Sequence, residues 1–316
     1  MTRRGRASEM RRLGGGSGAG AGTAVAAATV LALVLSACGP GTSTTSAQAP
    51  STGTTQQAKA VTEKDFDRGS FPAAAKVDNR WYPLVPGTQY ILEGRSNRGQ
   101  GRVPHQVVTT VTDLTKVVDG VRTAVLWDQD VNKGQLEESE LAFQAQDNDG
   151  NVWLLGEYPE VYEDGKFKGA PDTWISGLQG ARPGVLMRAS PRVGTSSYLQ
   201  GFAPEIDFSD RAKVARTGLR NCVPVNCYDN VLLIDEWNPL EPGDAHQLKY
   251  YAPGVGNIRV GAVGDPEAEV LVLVKVVRLS PAALAKVRTE SLELDKRAYT
   301  VTKGLYRHTP PAIAGP

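Results

Sequence analysis

The chain has 316 residues, 22% of them charged and 41% hydrophobic, a balance that excludes disorder over most of its length. Lys and Arg number 35 against 34 Asp and Glu, so there is no basic excess to hold a polyanion and nucleic acid is not expected as a partner. Three Cys and three His leave few soft metal ligands, and neither a metal nor a cofactor is expected.

Residues 1–37 read as an export signal rather than as fold. Arg3, Arg4, Arg6, Arg11 and Arg12 form a positive n-region, and an apolar run from Ala24 to Leu35 follows. That run is roughly 18 Å of helix, short of a ~30 Å hydrocarbon core but right for a signal h-region. It ends Leu35-Ser36-Ala37-Cys38. This resembles a bacterial lipobox, which implies cleavage before Cys38 and a diacylglyceryl group on its thiol. The alternative is a plain secretory signal with Cys38 incidental. Arg11-Arg12 hints at twin-arginine export, but Gly14-Gly15 lack the apolar residues of that motif, and the route stays open. Residues 1–37 hold five Arg and one Glu, so their removal leaves 30 basic and 33 acidic residues, a net charge of −3. A mildly acidic protein has no bulk attraction to anionic lipid, so membrane contact is expected through the anchor, on the extracytoplasmic face.

Residues 38–60 follow as the lipidated Cys and a Ser/Thr-rich tether. The 22 residues from 39 to 60 contain no acidic or aromatic residue and one Lys. They cannot bury enough apolar surface to offset their ordering entropy, and their r.m.s. reach is about 25 Å. The Ser/Thr density also permits O-glycosylation.

From residue 61 to about 300 a single β-rich domain is expected. Strands are predicted over 89–94, 103–116, 121–131, 135–146, 152–162, 195–202, 211–218, 228–237, 245–252, 256–262 and 268–279. Asp119-Gly120, Asn132-Lys133-Gly134, Asp147 to Asn151 and Glu163-Asp164-Gly165 supply the turns between them. Short turns make successive strands antiparallel neighbours. Val121, Thr123, Val125 and Trp127 share one face of their strand with Asp128 and Asp130 opposite, a half-buried pattern. Residues 270–277 are apolar on both faces except Lys275, which predicts cover on both sides. Ser280-Pro281 opens a helix over about 281–299, with Leu284, Val287, Leu294 and Ala298 recurring along it, and this helix is expected to dock on the sheet. Residues 301–316 read as a loose tail. The fold class is mainly β: an antiparallel, curved meander sheet or open half-barrel with the C-terminal helix packed on it.

Several blocks carry a resemblance. Asn79 to Thr88 read NRWYPLVPGT, and Asp147 to Trp153 read DNDGNVW before Gly156-Glu157. Glu236 to Gly243 read EWNPLEPG, and Tyr250 to Gly256 read YYAPGVG. Together, over roughly 79–260, they resemble a family of uncharacterised secreted bacterial proteins and lipoproteins, mainly actinobacterial. The resemblance implies a β-rich extracytoplasmic domain and no assigned activity.

The chemistry-bearing residues leave alternatives. Cys222 and Cys227 flank Val-Pro-Val-Asn, and outside the cytoplasm such a pair favours a disulfide contributing about 2 kcal/mol. A metal site there would need two further ligands, and His105, His246 and His308 have no metal-like spacing. His105, on a strand among Val and Thr, reads as structural. Asp147, Asp149 and Asn151 resemble the start of a calcium loop, but the sixth and twelfth positions hold Val152 and Tyr158, which favours a hairpin turn. Asp128, Asp130, Glu138, Glu140 and Glu157, with Trp127 and Trp153 nearby, form an acidic and aromatic cluster. Paired carboxylates hydrolyse glycosides and Trp faces stack on sugars, while the bland reading is a solvated sheet face above an aromatic core. No Gly-x-Ser-x-Gly and no phosphate loop occur; Gly194-Thr-Ser-Ser-Tyr198 does not match.

No catalytic residue is assigned. The leading expectation is a non-enzymatic, membrane-anchored lipoprotein binding an amphiphile or an envelope protein, with an apolar cavity as its mark. A carboxylate-dependent glycan hydrolase requires two convergent carboxylates in a groove. A structural or signalling envelope component requires an exposed apolar patch instead.

Overall fold

The computed structural model describes residues 60–97, 99, 101–240 and 245–315. The export signal, Cys38 and the tether up to Lys59 lie outside the described residues, as do Glu241 to Gly243 of the resemblance block.

The strands, in chain order, are β1 (Thr88–Asn97), β2 (Arg102–Val118), β3 (Val121–Asn132), β4 (Gln135–Gln146), β5 (Val152–Glu163), β6 (Lys166–Gly169), β7 (Trp174–Ile175), β8 (Arg182–Met187), β9 (Tyr198–Ala203), β10 (Phe208–Val223), β11 (Asn226–Trp237), β12 (His246–Ala252), β13 (Gly256–Val263), β14 (Val270–Arg278) and β15 (Ile313–Ala314). Helices α1 (Pro281–Val301) and α2 (Lys303–Tyr306) lie between β14 and β15. Every pairing is antiparallel.

The expected open half-barrel is corrected: the sheet closes. From β1 through β5, then β8 to β14, each strand pairs with the next, and β14 returns to β1, a ring of 12 strands among the described residues. The closing contact is extensive, running from Thr88–Arg278 to Arg95–Val270. A sheet this large must curl or split, and closure removes the unpaired edges that an open sheet leaves. Gly94 permits the seam, because a Cβ there would stand 1.8 Å from the Val270 carbonyl oxygen. The hairpin chemistry is local. Asp119-Gly120, Lys133-Gly134 and Asp164-Gly165 all adopt positive φ at both positions, as two-residue turns of this hand require.

The up-and-down order sorts the connections to two ends. The strap end carries the turns 118–121, 146–152, 223–226 and 252–256, together with a segment over 77–84 that crosses the barrel mouth. The far end carries the turns 97–102, 132–135, 163–166 and 263–270.

The C-terminal helix docks elsewhere than strand 270–277 suggested. On β14, Leu271 and Leu273 are buried while Lys275 and Val276 are exposed, so that strand is covered on one face only. The Ser280 hydroxyl caps α1 by accepting from the Ala283 amide at 3.2 Å, with Pro281 at its first position. The buried face of α1, Val287, Ser291, Leu294, Asp295 and Ala298, lies over β2 to β5. Arg288 pairs with Asp113 of β2, and Arg297 grips Glu160 of β5 at 2.9 and 2.7 Å. Under the helices Lys116 of β2 is fully buried. Its ammonium donates to Asp295 Oδ1 (2.8 Å), the Tyr299 hydroxyl (3.1 Å) and the Pro310 carbonyl (2.8 Å), and lies 4.6 Å from the Tyr306 ring centroid. Burial pulls its pKa down, and Asp295 offsets only part of that.

Residues 302–315 are packed rather than loose. Tyr306 and Ala312 are buried, the Ala312 amide donates to Asp295 Oδ2 at 3.0 Å, and β15 pairs with Leu114 and Thr115 of β2.

Cys222 and Cys227 stand directly opposite each other on β10 and β11 and form a disulfide, their Cα atoms 3.9 Å apart.

Candidate functional site: a polar barrel interior beneath an apolar cleft

Residues directly opposite in antiparallel strands point to the same face. Thr109, Asp128, Glu140 and Pro159 line up across β2 to β5, and Asp130 faces Glu138. Asp128 lines a cleft into the barrel, so this row is the inner face. Glu157 opposes Ala142, which opposes the cleft residue Leu126, and so joins the same face. Asp128, Asp130, Glu140 and Glu157 are 8% exposed or less, and Glu138 is half-buried. The expectation of a solvated acidic sheet face is therefore corrected: these acids point into the barrel. Trp127 points to the opposite face, its indole N–H donating to the Ser139 hydroxyl at 2.8 Å. Trp153 packs against Phe66 and Phe71 and donates to Asp147 at 2.8 Å. A different indole, Trp174, donates to Glu157 Oε2 at 2.7 Å.

The interior is a connected polar network. Lys249 of β12 meets Glu236 of β11 at 2.6 Å, and Gln200 donates to the same carboxylate at 3.0 Å. Gln247 donates to Glu269 Oε2 at 2.8 Å, and His105 Nε2 lies 2.6 Å from Glu269 Oε1. On its other side, His105 Nδ1 faces Asn132 Oδ1 at 3.0 Å and Asp130 Oδ1 at 3.1 Å. The Asn132 amide is oriented by donating to Glu137 and accepting from Ser96. Burial pulls the Lys249 ammonium down, but Glu236, with Asp210 and Glu269 behind it, more than offsets this and holds its pKa above the ordinary lysine value. The phenols of Tyr82, Tyr198 and Tyr251 are pushed up, first by burial and then by nearby acids including Glu236. Among the described residues no group of His, Cys, Asp and Glu is arranged to hold a metal ion.

Segment 77–84 closes the mouth above this network. Asn79 is its pin. The side-chain nitrogen donates to the Gly150 carbonyl (2.8 Å) and the Arg188 carbonyl (3.3 Å), while the side-chain oxygen accepts from the Trp81 and Tyr82 amides (2.8 and 3.1 Å). The Asn79 amide itself donates to Gln146 Oε1 at 2.7 Å. The Gly254 amide donates to the Arg80 carbonyl at 2.7 Å, and the Tyr82 ring lies 6.1 Å from the Tyr251 ring. Three blocks of the family resemblance, remote in sequence, thus meet at the strap end.

Between this strap and β12 to β14 lies a cleft of about 80 Å³. Its walls are apolar, chiefly Leu84, Leu92, Val107, Leu126, Val260 and Leu271; Asp128 and Lys249 are its charged residues. The volume is well under the roughly 300–1,000 Å³ of a drug-sized pocket, so the site takes part of a molecule rather than enclosing all of it.

The Asp147 loop is spent on structure. Its carboxylate accepts from the Asn151 amide at 2.8 Å and from the Trp153 indole, which makes the 147–151 hairpin turn. His246 sits outside the network, 2.5 Å from Asp235 and stacked on Trp237. Sequence reasoning missed Lys249 and Glu269. Lys249 shares a face with Gln247 and Tyr251, and Glu269 stands in the turn before β14, so neither carries a local signature.

No family profile and no curated protein matches the chain. Two solved structures are similar to it. One is a candidate lipoprotein from Parabacteroides distasonis, with a TM-score of 0.37, 11% identity and coverage of 63% of this chain and 99% of its own. The other is a candidate exported protein with a YmcC-like fold from Bacteroides fragilis, with a TM-score of 0.35, 12% identity and the same coverage. At these scores the likenesses carry no argument about function.

Proposed function

We propose that this chain is an extracytoplasmic, lipid-anchored binding protein that seats a segment of a small amphiphile in the strap-end cleft. Hydrocarbon lies against Leu92, Val107, Val260 and Leu271, and a polar group is directed at Asp128 and Lys249. The observation that carries the reading is the cleft itself: apolar walls leading to a charged interior that is already internally paired at Lys249 and Glu236. The Leu35 to Cys38 lipobox and the Cys222–Cys227 disulfide, at home in an oxidising compartment, support export and anchoring. No helix of the described residues is long and apolar enough to cross a membrane. Glycan hydrolysis loses support, because Glu140, opposite Asp128, is fully buried.

The test is gentle native mass spectrometry with lipid extraction on the exported protein. A stoichiometric co-purifying amphiphile, lost in Leu271→Trp, which fills the cleft, supports the reading. A clean apo mass after incubation with envelope lipids overturns it.

A further inference from the structure

The sign of the charge inside the barrel bears on which amphiphiles its cleft takes. Asp128, Asp130, Glu138, Glu140 and Glu157 point inward from β3 to β5, and Glu236 and Glu269 join them through Gln200 and Gln247. Against these carboxyl groups the same network holds one lysine, Lys249, and one histidine, His105. The nearby arginines stand at the strap-end rim and are spent there. Arg188 donates to the Val61 and Ser196 carbonyls and the Thr195 hydroxyl, and Arg278 to the Thr88 hydroxyl. An acidic excess survives even where facing carboxyls, such as Asp128 and Glu140, hold one proton between them.

Of the two charged residues on the cleft wall, Lys249 is already answered. Its ammonium lies 2.6 Å from Glu236, and Asp210 and Glu269 add to the hold. Asp128 is the other, and a second acceptor stands close to it. The Tyr82 ring lines the cleft; burial and then the Asp128 charge push its phenol up, while a bond from Gln144 pulls the other way. Gln144 lies two residues beyond Ala142 on β4 and shares its inward face. It is 1% exposed, and among the described residues its Oε1 meets no hydrogen-bond donor. A carboxylate and an amide oxygen beside one phenol suit a ligand that brings N–H donors and positive charge. Apolar walls with charge of one sign behind them focus the field and concentrate ions of the opposite sign.

We propose that the cleft selects an amphiphile with an alkylammonium head, its nitrogen seated against the Asp128 carboxylate and its chain along Leu92, Val107, Val260 and Leu271. This rests on the binding reading above and adds the sign of the ligand's charge. An anionic head meets the acids of the interior and is turned away.

The experiment is calorimetric titration of the full exported chain at neutral pH with octylammonium, octanol and octyl sulfate, each below its micelle concentration. Octylammonium is expected to bind most tightly and octyl sulfate least, and Leu271→Trp to abolish the binding. Asp128→Asn is expected to weaken octylammonium about ten- to a hundredfold and to leave octanol unchanged. Octanol or octyl sulfate binding as tightly as octylammonium overturns the charge selection and leaves the amphiphile reading standing. This ranking is read on the wild-type protein, so it holds whatever the substitutions do to folding. Equal effects of Asp128→Asn on octylammonium and octanol overturn the seat at Asp128. No binding of any of the three, or binding that survives Leu271→Trp, overturns the amphiphile reading and this one with it.

Discussion

The Asn79 side chain donates to the Gly150 carbonyl at 2.8 Å and so ties the strap to the β4–β5 turn. Its other bonds run to Arg188 and to the Trp81 and Tyr82 amides. Asn79→Ala leaves these buried groups without their partner, at a cost of about 2–4 kcal/mol. Urea unfolding measures the loss. Hydrogen exchange is expected to show faster exchange at Trp81 and Tyr82 while the amides of β3 and β4 keep their protection. Equal loosening of both regions would show that Asn79 is not specific to the strap.

Glu160 accepts from four donors: Arg297 Nε and Nη2 and the Tyr158 and Tyr162 hydroxyls. Burial pushes its carboxyl up, but Arg297 and the two phenols outweigh burial and hold its pKa below the ordinary 4.5. The Tyr162 phenol is raised in turn to about 12, first by burial and then by its bond to Glu160. A carboxyl depressed by folding binds fewer protons in the native state, so its contribution is fully present above pH 4.5 and is lost as pH falls through the depressed value. Glu160→Gln is expected to cost about 2–3 kcal/mol at neutral pH. Stability curves measured from pH 7 down to pH 3 should converge with wild type in the acid range; parallel curves would rule out this linkage.

Lys116 and Asp295 form a buried pair beneath the helices, 2.8 Å apart. Removing one partner leaves a buried charge and costs about 3–5 kcal/mol, whereas replacing both by apolar groups is nearly neutral. Lys116→Met is therefore expected to lower the thermal midpoint sharply, and Lys116→Met with Asp295→Asn to recover part of it, since the asparagine side-chain oxygen can still accept from the Ala312 amide. Additive losses in calorimetry would show that the pair is not coupled.

Much of the fold is legible in local chemistry. The hairpins at Asp119-Gly120, Lys133-Gly134 and Asp164-Gly165 follow from residues that tolerate positive φ, and the start of α1 from Ser280-Pro281. β8 is not legible, because Pro183-Gly184 reads as a turn. Gly184 is there because a Cβ would meet the Gln200 backbone at 2.2 Å, a constraint set by the close approach of the next strand, β9, which no local pattern announces. The candidate site was hidden by a symmetry of alternation. Period-two patterning on β3 separates Val125 and Trp127 from Asp128 and Asp130 but does not say which set faces in. Helices α1 and α2 cover the apolar set from outside, through Phe143, Leu294 and Tyr306, and the acids turn inward. Only closure of the ring decides this, and closure depends on β14 reaching β1 across the whole domain.

β2 runs past its neighbour: its last residue paired with β1 is Thr110, opposite Gln89, yet the strand continues to Val118. The bare backbone beyond is met by β15, which pairs with Leu114 and Thr115, and by the Gly315 amide donating to the Asp113 carbonyl at 2.7 Å. Residues 313–315 thus occupy the place that a strand from a second molecule would otherwise take. Displacing this short segment would bare the backbone of β2 and give the barrel an adhesive rim, so the pairing of β15 guards against association between neighbouring copies.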